Sequence, residues 1–539
     1  MLPKLEKHGN NWSLLVDGAP TILLGGQVHN FSTSHEATIS QVFEKAKALN
    51  FNFVIGSVNW NQFEPTEGHF DYSLIEALIR EAEINELKLV ILWFGAFKNA
   101  VSTYAPTWVR SDRARFPRVN LNLPAGAVTR NGTNPVLSIF SKNLLNADSA
   151  AYCALLNYLN QHDLKHTVVM VQIENESGLL AASRDFNDEA NAAWKSKVPA
   201  ALIHGVQNQL DPHDEVTREI WTSNGSKTVG TWQEVFGDSW QAHEIFMAWH
   251  MGSYANELAK AGKAIKKLPM YANAWLGPQP GQEKAGQWPS GGPSKNVLGI
   301  WKIAAPDIDL LAPDIYLPEA FAVMSEYARP DNALFIPESR HSVANLFWAI
   351  GNHGAIGYAV FGAEDSRIGN QISEAYGLLK EASQVIALAQ RESLIKTILL
   401  EQDQLEMLID FDGLEIKALN SLGRLKRFVE VAGLDLEIKD FEIKSELDDI
   451  QILIPADSEL RPFALLIKES ETQFLLIGKG INLEFASKNF DFEIDKIEEG
   501  TFVSNAWKKA RELNGDERLQ FVPLYEIGCA KITILKFAK

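Results

Sequence analysis

The chain lacks several features that would place it in a specialised class of proteins. It has two cysteines in 539 residues, Cys153 and Cys529, so one disulfide could form but a disulfide framework is excluded. No apolar run reaches the ~18 residues that a membrane-spanning helix needs, and the N-terminus has no apolar core of a signal peptide. We therefore expect a cytoplasmic protein, or a periplasmic or secreted one if a signal peptide was removed.

Positive charge is scarce relative to negative charge. The 50 Lys and Arg residues face 68 Asp and Glu residues, which gives a formal net charge of −18. Such a surface repels nucleic acid and anionic membranes, whereas a neutral sugar is unaffected by it. It neither requires nor forbids a homodimer. No H-E-x-x-H motif and no cysteine-rich ligand spacing occurs, so we expect no metal and no cofactor.

Short apolar runs alternate with amphipathic helical patterns over the first 390 residues. Strands that alternate with helices predict a parallel sheet, and eight of them over this length predict a (β/α)8 barrel. A doubly wound open sheet is the alternative, but no G-x-G-x-x-G turn follows the first run. Helices are expected at 36–49, 72–86 and 147–162. The eight predicted barrel strands are 22–26, 53–57, 87–93, 168–173, 268–272, 310–315, 334–337 and 355–361.

The pattern of residues changes from helix-forming to β-forming segments after Glu392. Clusters of β-forming residues then recur between acidic turns, which predicts an all-β, sandwich-like domain. We therefore expect a catalytic barrel over 1–392, preceded by a short hairpin that includes 12–18, and a C-terminal β domain over 393–539. The clusters lie at 397–400, 428–431, 452–454, 474–477 and 531–535.

Two predicted barrel strands deliver a glutamate at their C-terminal ends, where barrel enzymes carry their catalytic groups. Glu176 follows the fourth run, and Glu174 would point the same way if that strand stayed regular. Glu338 follows the seventh run, and nearby Arg340 could keep it ionised. Retaining glycoside hydrolysis needs one protonated and one ionised carboxyl group ~5–5.5 Å apart. We predict Glu176 as general acid/base and Glu338 as nucleophile.

Polar and aromatic residues at the other strand ends are candidates for sugar binding. Sugar sites combine an aromatic platform with hydrogen-bonding groups, and the end of the third strand offers both. The phenol at the end of the sixth strand could donate a hydrogen bond to Glu338. The turn after the second strand carries another acidic candidate, although Pro65 and Gly68 favour a structural role for most of that turn. The candidates from these positions are Glu64, Trp93, Lys98, Asn99, Asn273, Trp275 and Tyr316.

The ordered set of motifs resembles the family 35 β-galactosidases of glycoside hydrolase clan A, in the bacterial branch close to family 42. It comprises G-G-Q-V-H-N at 25–30, E-P-x-x-G-x-F-D-Y at 64–72, A-P-T-W-V-R at 105–110, W-P-S-G-G-P at 288–293, N-E at 175–176 and P-E-S at 337–339. The resemblance implies a retaining exo-β-galactosidase in which Asn175 contacts the sugar 2-hydroxyl and Tyr316 orients Glu338. Ser177 departs from the aromatic or valine residue of many members, which bears on the substrate.

Two alternatives remain open from the sequence. A β-glucosidase, β-xylosidase or α-L-arabinopyranosidase would use the same two carboxylates, because glycone preference depends on a few hydrogen bonds. A protein of another class, a non-catalytic carbohydrate-binding barrel, would retain sugar affinity without turnover.

Overall fold

The N-terminal segment forms a small antiparallel sheet beside the main body of the chain, as the predicted hairpin indicated. Its strands are β1 (Lys4–His8), β2 (Asn11–Val16) and β3 (Ala19–Thr21), in the order β1-β2-β3. This arrangement is seen in a computed structural model of the chain. The structure describes residues 1–99, 103–123, 135–208, 210–211, 214–317, 320–401, 404–411, 413–433 and 461–539.

Parallel strands close a barrel in the middle of the chain. The hydrogen-bonded order is β10-β12-β4-β5-β6-β7-β8-β9-β11, in which β10 and β11 are two halves of one strand divided at Pro337. Since β10 pairs with β12 and β11 pairs with β9, the divided strand completes an eight-stranded barrel. The predicted (β/α)8 fold is confirmed, and the open sheet is excluded. The strands are β4 (Leu23–Gln27), β5 (Phe53–Asn59), β6 (Lys88–Lys98), β7 (Val168–Asn175), β8 (Met270–Trp275), β9 (Leu310–Ile315), β10 (Phe335–Ile336), β11 (Glu338–Ser339) and β12 (Gly357–Phe361).

Helices surround the barrel, and their ends carry the expected capping residues. The Ser141 side chain accepts a hydrogen bond from Leu144 N at the start of α5, and α13 ends at Gly354, whose φ of 58° suits glycine. Among the described residues, no helix combines the length and apolar character that crossing a bilayer requires. The helices are α1 (Glu36–Ala48), α2 (Trp60–Phe63), α3 (Ser73–Ile84), α4 (Thr107–Ser111), α5 (Lys142–His162), α6 (Asp188–Trp194), α7 (Ala200–Asn208), α8 (Glu215–Ser223), α9 (Trp232–Phe236), α10 (Trp240–Ile265), α11 (Leu298–Ala304), α12 (Phe321–Tyr327), α13 (Val343–His353), α14 (Gln371–Glu381) and α15 (Ser383–Arg391), with 3-10 turns at Lys295–Val297 and Ala363–Asp365.

The barrel interior is filled below the level of the strand ends. Alternate residues of neighbouring strands meet there, among them Phe53, Tyr271 and Phe335, and the intermediate residues face the helices. The rings of Tyr271 and Phe335 lie 5.2 Å apart, edge to face. This apolar layer, in which each large side chain contributes ~1.5–3 kcal/mol by burial, forms a closed floor beneath the polar strand ends.

The C-terminal segment forms two antiparallel sheets, in the orders β13-β16-β17-β21-β19-β20 and β14-β15-β18. One difference from the sequence prediction is the segment 428–431, which belongs to helix α16; the predicted β cluster at 452–454 lies outside the described residues. The elements are β13 (Ile395–Leu399), β14 (Glu406–Phe411), β15 (Leu414–Leu419), α16 (Ser421–Val431), β16 (Phe463–Lys468), β17 (Gln473–Lys479), β18 (Asn482–Ala486), β19 (Phe490–Val503), β20 (Ala506–Glu512) and β21 (Gly528–Ala538), with a 3-10 turn at Gly515–Leu519.

The larger C-terminal sheet packs directly against the barrel helix α13. The Thr397 hydroxyl of β13 donates a hydrogen bond of 2.7 Å to the Phe347 carbonyl of α13. Leu465 of β16 and Ile395 of β13 belong to the same apolar cluster as the barrel. The two parts of the chain thus share one continuous core, and the domain boundary at 392–393 stays a prediction.

Candidate active site

A cavity of about 560 Å³ opens at the C-terminal ends of the barrel strands. Its volume lies within the ~300–1,000 Å³ that is usual for small-molecule sites. The strand alternation that fills the barrel floor also turns these side chains inward. The cavity is lined by Asn30, Lys98, Asn99, Glu176, Trp275, Leu276, Gln279, Asp314, Tyr316, Leu317, Glu338, Arg340 and Phe361.

The end of β7 departs from regular strand geometry. Glu174 has a φ of 58° and Glu176 a φ of 46°, both in the left-handed region that costs ~1–3 kcal/mol for residues other than glycine. The expectation that the two side chains point the same way is wrong for this reason. Glu174 turns away from the cavity and accepts hydrogen bonds from the backbone of Ala96 and Phe97, at 3.0 and 2.8 Å, whereas Glu176 lines the cavity.

Both carboxylate oxygens of Glu338 accept hydrogen bonds. Gln27 Nε2 donates to Oε1 at 2.8 Å, and the Tyr316 hydroxyl donates to Oε2 at 2.5 Å. Arg340 lines the cavity, but the recorded donors to Glu338 are Gln27 and Tyr316 instead. Hydrogen bonds to both oxygens stabilise the ionised form that a nucleophile requires. Two neutral side chains therefore donate to Glu338 where the sequence suggested Arg340.

Glu176, Asp314 and Glu338 form a compact group of three carboxyls. Taking one carboxylate oxygen from each residue, the three oxygens all lie within 4.8 Å of one another. Glu176 and Glu338 thus approach each other across one cavity, as the two carboxyls of a glycosidase do. The two glutamates therefore face the same cavity at short distance.

The environments of the two glutamates differ as an acid and a nucleophile require. Burial and the nearby Glu338 carboxylate raise the pKa of Glu176 to about 8, with the positive charge of Lys98 acting in the opposite direction. Glu176 is therefore protonated near neutral pH. A carboxyl that is protonated beside one that accepts two hydrogen bonds is the pattern of a general acid and its nucleophile.

An amide network holds the peptide that carries Glu176. Asn273 Oδ1 accepts a hydrogen bond of 2.8 Å from Glu176 N, and Asn273 Nδ2 donates to Asn175 Oδ1 at 3.2 Å and to Asp314 Oδ2 at 2.7 Å. Asn175 is fully buried, and its Nδ2 donates to Glu176 Oε2 at 3.4 Å. The predicted residues Asn175 and Asn273 thus lie beside Glu176, and Asn273 connects it to Asp314.

Lys98, Asn99, Trp275 and Tyr316 lie where the sequence predicted them, on the wall of the cavity. Lys98 pairs in register with Asn175 across β6 and β7, which brings its charge near the acid. The half-buried Trp275 presents an aromatic surface. The backbone N–H of Asn99 donates a hydrogen bond of 3.1 Å to the Asn175 carbonyl. These positions supply the platform and the polar groups that a sugar pocket needs.

Asn175, Asn273, Trp93 and Glu64 do not line the cavity. Asn175 and Asn273 still contact Glu176, whereas the assignment of Trp93 and Glu64 as sugar-binding residues needs correction. Trp93 is fully buried on the outward face of β6, where its indole N–H donates to Asp148 at 2.9 Å. Alternation along the strand turns Trp93 toward the helices and its neighbours into the barrel. Glu64 is buried in its turn, where it accepts hydrogen bonds from Trp60 Nε1 and Gly68 N, both at 2.7 Å. Both residues are structural.

Gln27 and Asp314 are site residues that the sequence reasoning missed. Gln27 ends the first barrel strand inside the G-G-Q motif, where it was read only as part of a resemblance. Asp314 precedes Tyr316 by two residues, so the two share one face of the β9 strand end. That alternation is the signal by which Asp314 could have been found.

The three carboxyls are close enough to share either a cation or a proton. Donors already point at them: Gln27 and Tyr316 at Glu338, and Asn273 at Asp314. N–H and O–H groups directed at these oxygens would repel a cation, so the arrangement favours protons. The absence of a metal and of a cofactor stays a prediction.

Comparisons with known proteins bear on the same region. Residues 13–116 match the sequence profile "Glycosyl hydrolases family 35". This part of the chain is therefore similar to the family 35 glycosyl hydrolases. That segment contains the motifs at 25–30, 64–72 and 105–110, and the match confirms the resemblance they indicated. Residues 372–524 match "Domain of unknown function (DUF5597)", which begins within α14, before the predicted domain boundary.

A β-galactosidase from Xanthomonas manihotis is 30% identical over 194 residues, which is 35% of this chain and 29% of that protein. The chain thus aligns with less than a third of the length of this relative. Among solved structures, the β-galactosidase from Rahnella sp. R3 aligns at a TM-score of 0.44 with 15% identity, over 68% of this chain and 57% of the other. The β-mannanase from the mussel Mytilus edulis aligns at 0.40 with 14% identity, over 71% and 97%.

Proposed function

We propose that the chain is a retaining exo-β-galactosidase that removes terminal β-D-galactosyl residues through a covalent glycosyl-enzyme. The observation that carries this proposal is the pair Glu176 and Glu338, with oxygens within 4.8 Å of each other at the floor of one cavity. The different environments of the two carboxyls support their assignment as acid and nucleophile.

In the first step Glu338 attacks the anomeric carbon while Glu176 protonates the oxygen of the leaving sugar. The C–O bond to the aglycone breaks, an ester bond to Glu338 forms, and Glu176 becomes a carboxylate. Tyr316 and Gln27 hold the attacking carboxylate in place before the reaction. Such positioning lowers the barrier because little reorganisation is left to the transition state.

In the second step the ionised Glu176 takes a proton from water, and that water attacks the anomeric carbon of the ester. The ester bond to Glu338 breaks, galactose leaves with its β configuration, and Glu176 is protonated again. Asn175, whose Nδ2 donates to Glu176 Oε2, is proposed to contact the sugar 2-hydroxyl because the family resemblance implies it. The enzyme returns to its resting protonation state.

Galactose is proposed as the glycone because the aligned relative from X. manihotis is a β-galactosidase. The limited volume of the cavity, with Trp275 and Phe361 on its wall, supports the release of single terminal sugars. The axial 4-hydroxyl of galactose would have to be recognised by hydrogen bonds that reject the equatorial epimer.

The test is hydrolysis of p-nitrophenyl β-galactoside beside the β-glucoside, β-xyloside, β-fucoside and α-L-arabinopyranoside. We expect the galactoside to give the highest kcat/KM, and NMR to show β-galactose as the first product. The variant Glu338→Gln, purified in parallel, controls for contaminating glycosidases. Preference for another sugar would overturn the glycone assignment, and an α-anomer as first product would overturn the retaining mechanism. Sugar binding by calorimetry without turnover would favour the non-catalytic alternative.

A further inference from the structure

The double displacement uses two carboxyls, yet the cavity holds three. Asp314 ends β9, and its register partner on β11 is Glu338. Its side chain is 3% exposed, and one of its oxygens lies within 4.8 Å of oxygens of both Glu176 and Glu338. A third carboxyl at this distance adds a further negative charge if it is ionised, so its protonation state affects both steps of the reaction.

The two oxygens of Asp314 have different surroundings. Oδ2 accepts the hydrogen bond of 2.7 Å from Asn273 Nδ2, the same amide that binds Asn175. Oδ1 is buried and receives no hydrogen bond from any residue that the structure describes. A buried oxygen without a donor is costly as a charged acceptor, but it can carry a proton and become the donor itself.

We propose that Asp314 is a protonated carboxylic acid in the resting site, and that its Oδ1–H group donates a hydrogen bond to Glu176. This inference rests on the proposed function, because it assigns Asp314 as the positioning residue for the general acid.

The groups around Asp314 favour its neutral form. The nearby carboxyls are Glu176, which follows β7, and Glu338 on β11. The phenols of Tyr271, Tyr316 and Tyr327 are close enough to interact electrostatically with Asp314. Positive charge comes from Lys98 on β6, and Arg340 lines the same cavity. Burial first, and then the charges of Glu338 and Glu176, hold the pKa of Asp314 well above its usual range, while Lys98 and the Asn273 hydrogen bond act against that shift. Ionising all three carboxyls would place three like charges together in a buried cavity.

A protonated Asp314 assists the acid when the acid is used. As Glu176 gives its proton to the leaving oxygen, the new carboxylate accepts the Asp314 hydroxyl, which stabilises its charge beside Glu338. The proton of Asp314 stays on Asp314 throughout, so no proton is gained or lost by the step. Through Asn273, the same side chain also fixes the peptide that carries Glu176.

The direct test is infrared difference spectroscopy of the purified protein at pH 7. We expect the spectrum of Asp314→Asn minus wild type to show the loss of one carbonyl stretch of a protonated carboxylic acid. The control is Asp71→Asn, because hydrogen bonds to Ser73 lower the pKa of that exposed Asp71 carboxyl and its removal leaves the band unchanged. Loss of only an ionised-carboxylate band in Asp314→Asn would overturn the proposal.

A kinetic test follows the alkaline limb of the kcat/KM profile. Asparagine keeps an acceptor for Asn273 and a neutral donor toward Glu176, so Asp314→Asn should retain the limb within ~0.3 pH unit. A charged Asp314 would predict instead that the limb moves to lower pH by about one unit or more, since a neighbouring negative charge would be lost. Such a movement would overturn the proposal.

The variant Asp314→Leu removes the donor while keeping the branched side chain of four heavy atoms. We expect kcat/KM to fall ~10–100-fold on alkyl galactosides and much less on activated aryl galactosides, because only poor leaving groups need a strong acid. Equal losses on both would overturn the role assigned to Asp314. Failure of the wild type to hydrolyse any glycoside, with the infrared band still lost in Asp314→Asn, would overturn the proposed function and leave the protonation of Asp314 standing.

Discussion

The hydroxyl of Tyr316 lies 2.5 Å from Oε2 of Glu338 and donates a hydrogen bond to it. Tyr316 is 39% exposed, so its ring reaches Glu338 from the wall of the cavity rather than from the core. Burial and the neighbouring carboxylates raise the pKa of the Tyr316 phenol, which keeps it a donor throughout the neutral range. Glu338 thus retains this donor at every pH where the fold is expected to function.

Replacing Tyr316 by phenylalanine should therefore lower kcat. The ring remains, but Glu338 keeps only the hydrogen bond from Gln27, so its orientation before attack is less restricted. We expect a ~10²–10³-fold loss in kcat on p-nitrophenyl β-galactoside with KM changed less than about threefold, comparable to the loss of one positioned donor. A variant with unchanged kcat would show that the hydrogen bond has no part in the reaction.

Removal of the nucleophile should be rescued by a small anion. Glu338→Ala leaves space beside the anomeric carbon, so we expect activity to vanish and added azide to restore part of the turnover on activated substrates. The product should be the α-galactosyl azide, which NMR identifies. Glu67→Ala, which removes an exposed partner of Arg115, is the control and should show normal activity without azide. Formation of the β-azide would contradict direct attack from the side of Glu338.

The acid assignment predicts a dependence on the leaving group. Glu176→Gln cannot donate a proton, so it should lose ~10²–10⁴-fold on alkyl galactosides and far less on activated aryl galactosides. The wild-type kcat/KM should fall as the pH rises through about 8, because only protonated Glu176 can act as the acid. Glu174→Gln is the matched comparison, since Glu174 points away from the cavity. If Glu174→Gln showed the leaving-group dependence, the acid would have been assigned to the wrong residue.

Stability should also depend on pH through a carboxyl outside the site. Glu244 of α10 is buried beside Trp288, whose indole N–H donates to it at 2.6 Å, and burial raises the pKa of Glu244 to about 7. The folded protein therefore binds a proton more tightly than the unfolded chain does. That contribution is fully present below the unfolded pKa of 4.5 and is lost as the pH rises to about 7.

The corresponding variant is Glu244→Gln, which keeps the acceptor but cannot ionise. Between pH 4.5 and pH 8 the free energy of unfolding of the wild type should fall by ~3 kcal/mol more than that of the variant. Urea unfolding of both proteins at the two pH values measures this difference. Equal pH dependence of the two proteins would show that Glu244 ionises freely in the fold.

The contact between α13 and β13 is tight enough to test with one methyl group. A Cβ atom at Gly351 would lie 2.2 Å from Thr397 Oγ1 and 2.9 Å from Thr397 N. Gly351→Ala should therefore destabilise the protein by ~1–3 kcal/mol despite the better helix propensity of alanine. Gly377→Ala in α14 is the control, because its nearest neighbour is the end of the Asn50 side chain at 3.1 Å. Equal unfolding midpoints for the two variants would show that the sheet yields at this contact.

The sequence was sufficient to predict the elements that follow a simple pattern of apolar and polar residues. Apolar runs followed by helical patterns predicted the barrel, and the position of Glu338 at the end of one such run predicted its place in the cavity. The first inference needs only the succession of apolar runs and helical patterns, and the second only the rule that barrel enzymes carry their site at the C-terminal strand ends. The apolar layer inside the barrel and the polar strand ends above it follow from the same pattern of apolar runs that end in polar residues.

The direction of individual side chains depended on local backbone geometry, which the periodic pattern of apolar residues does not contain. The positive φ angles of Glu174 and Glu176 reverse the direction of one side chain, and no residue type in that segment signals them. Trp93 was assigned by its chemistry, although its position in the alternation between Leu92 and Phe94 places it outside the barrel. The segment 428–431 has β-forming residues but lies in a helix, where tertiary context overrides propensity.

The division of the seventh strand at Pro337 has a mechanical consequence. The half that carries Glu338 is hydrogen-bonded to β9, which carries Asp314 and is followed directly by Tyr316, whereas the other half is bonded to β12. Glu338, Asp314 and Tyr316 therefore lie on two directly paired strand ends, whereas Glu176 follows β7, two strands away from β9. The link between the two glutamates across this distance is Asn273, which bonds both the Glu176 backbone and the Asp314 carboxyl.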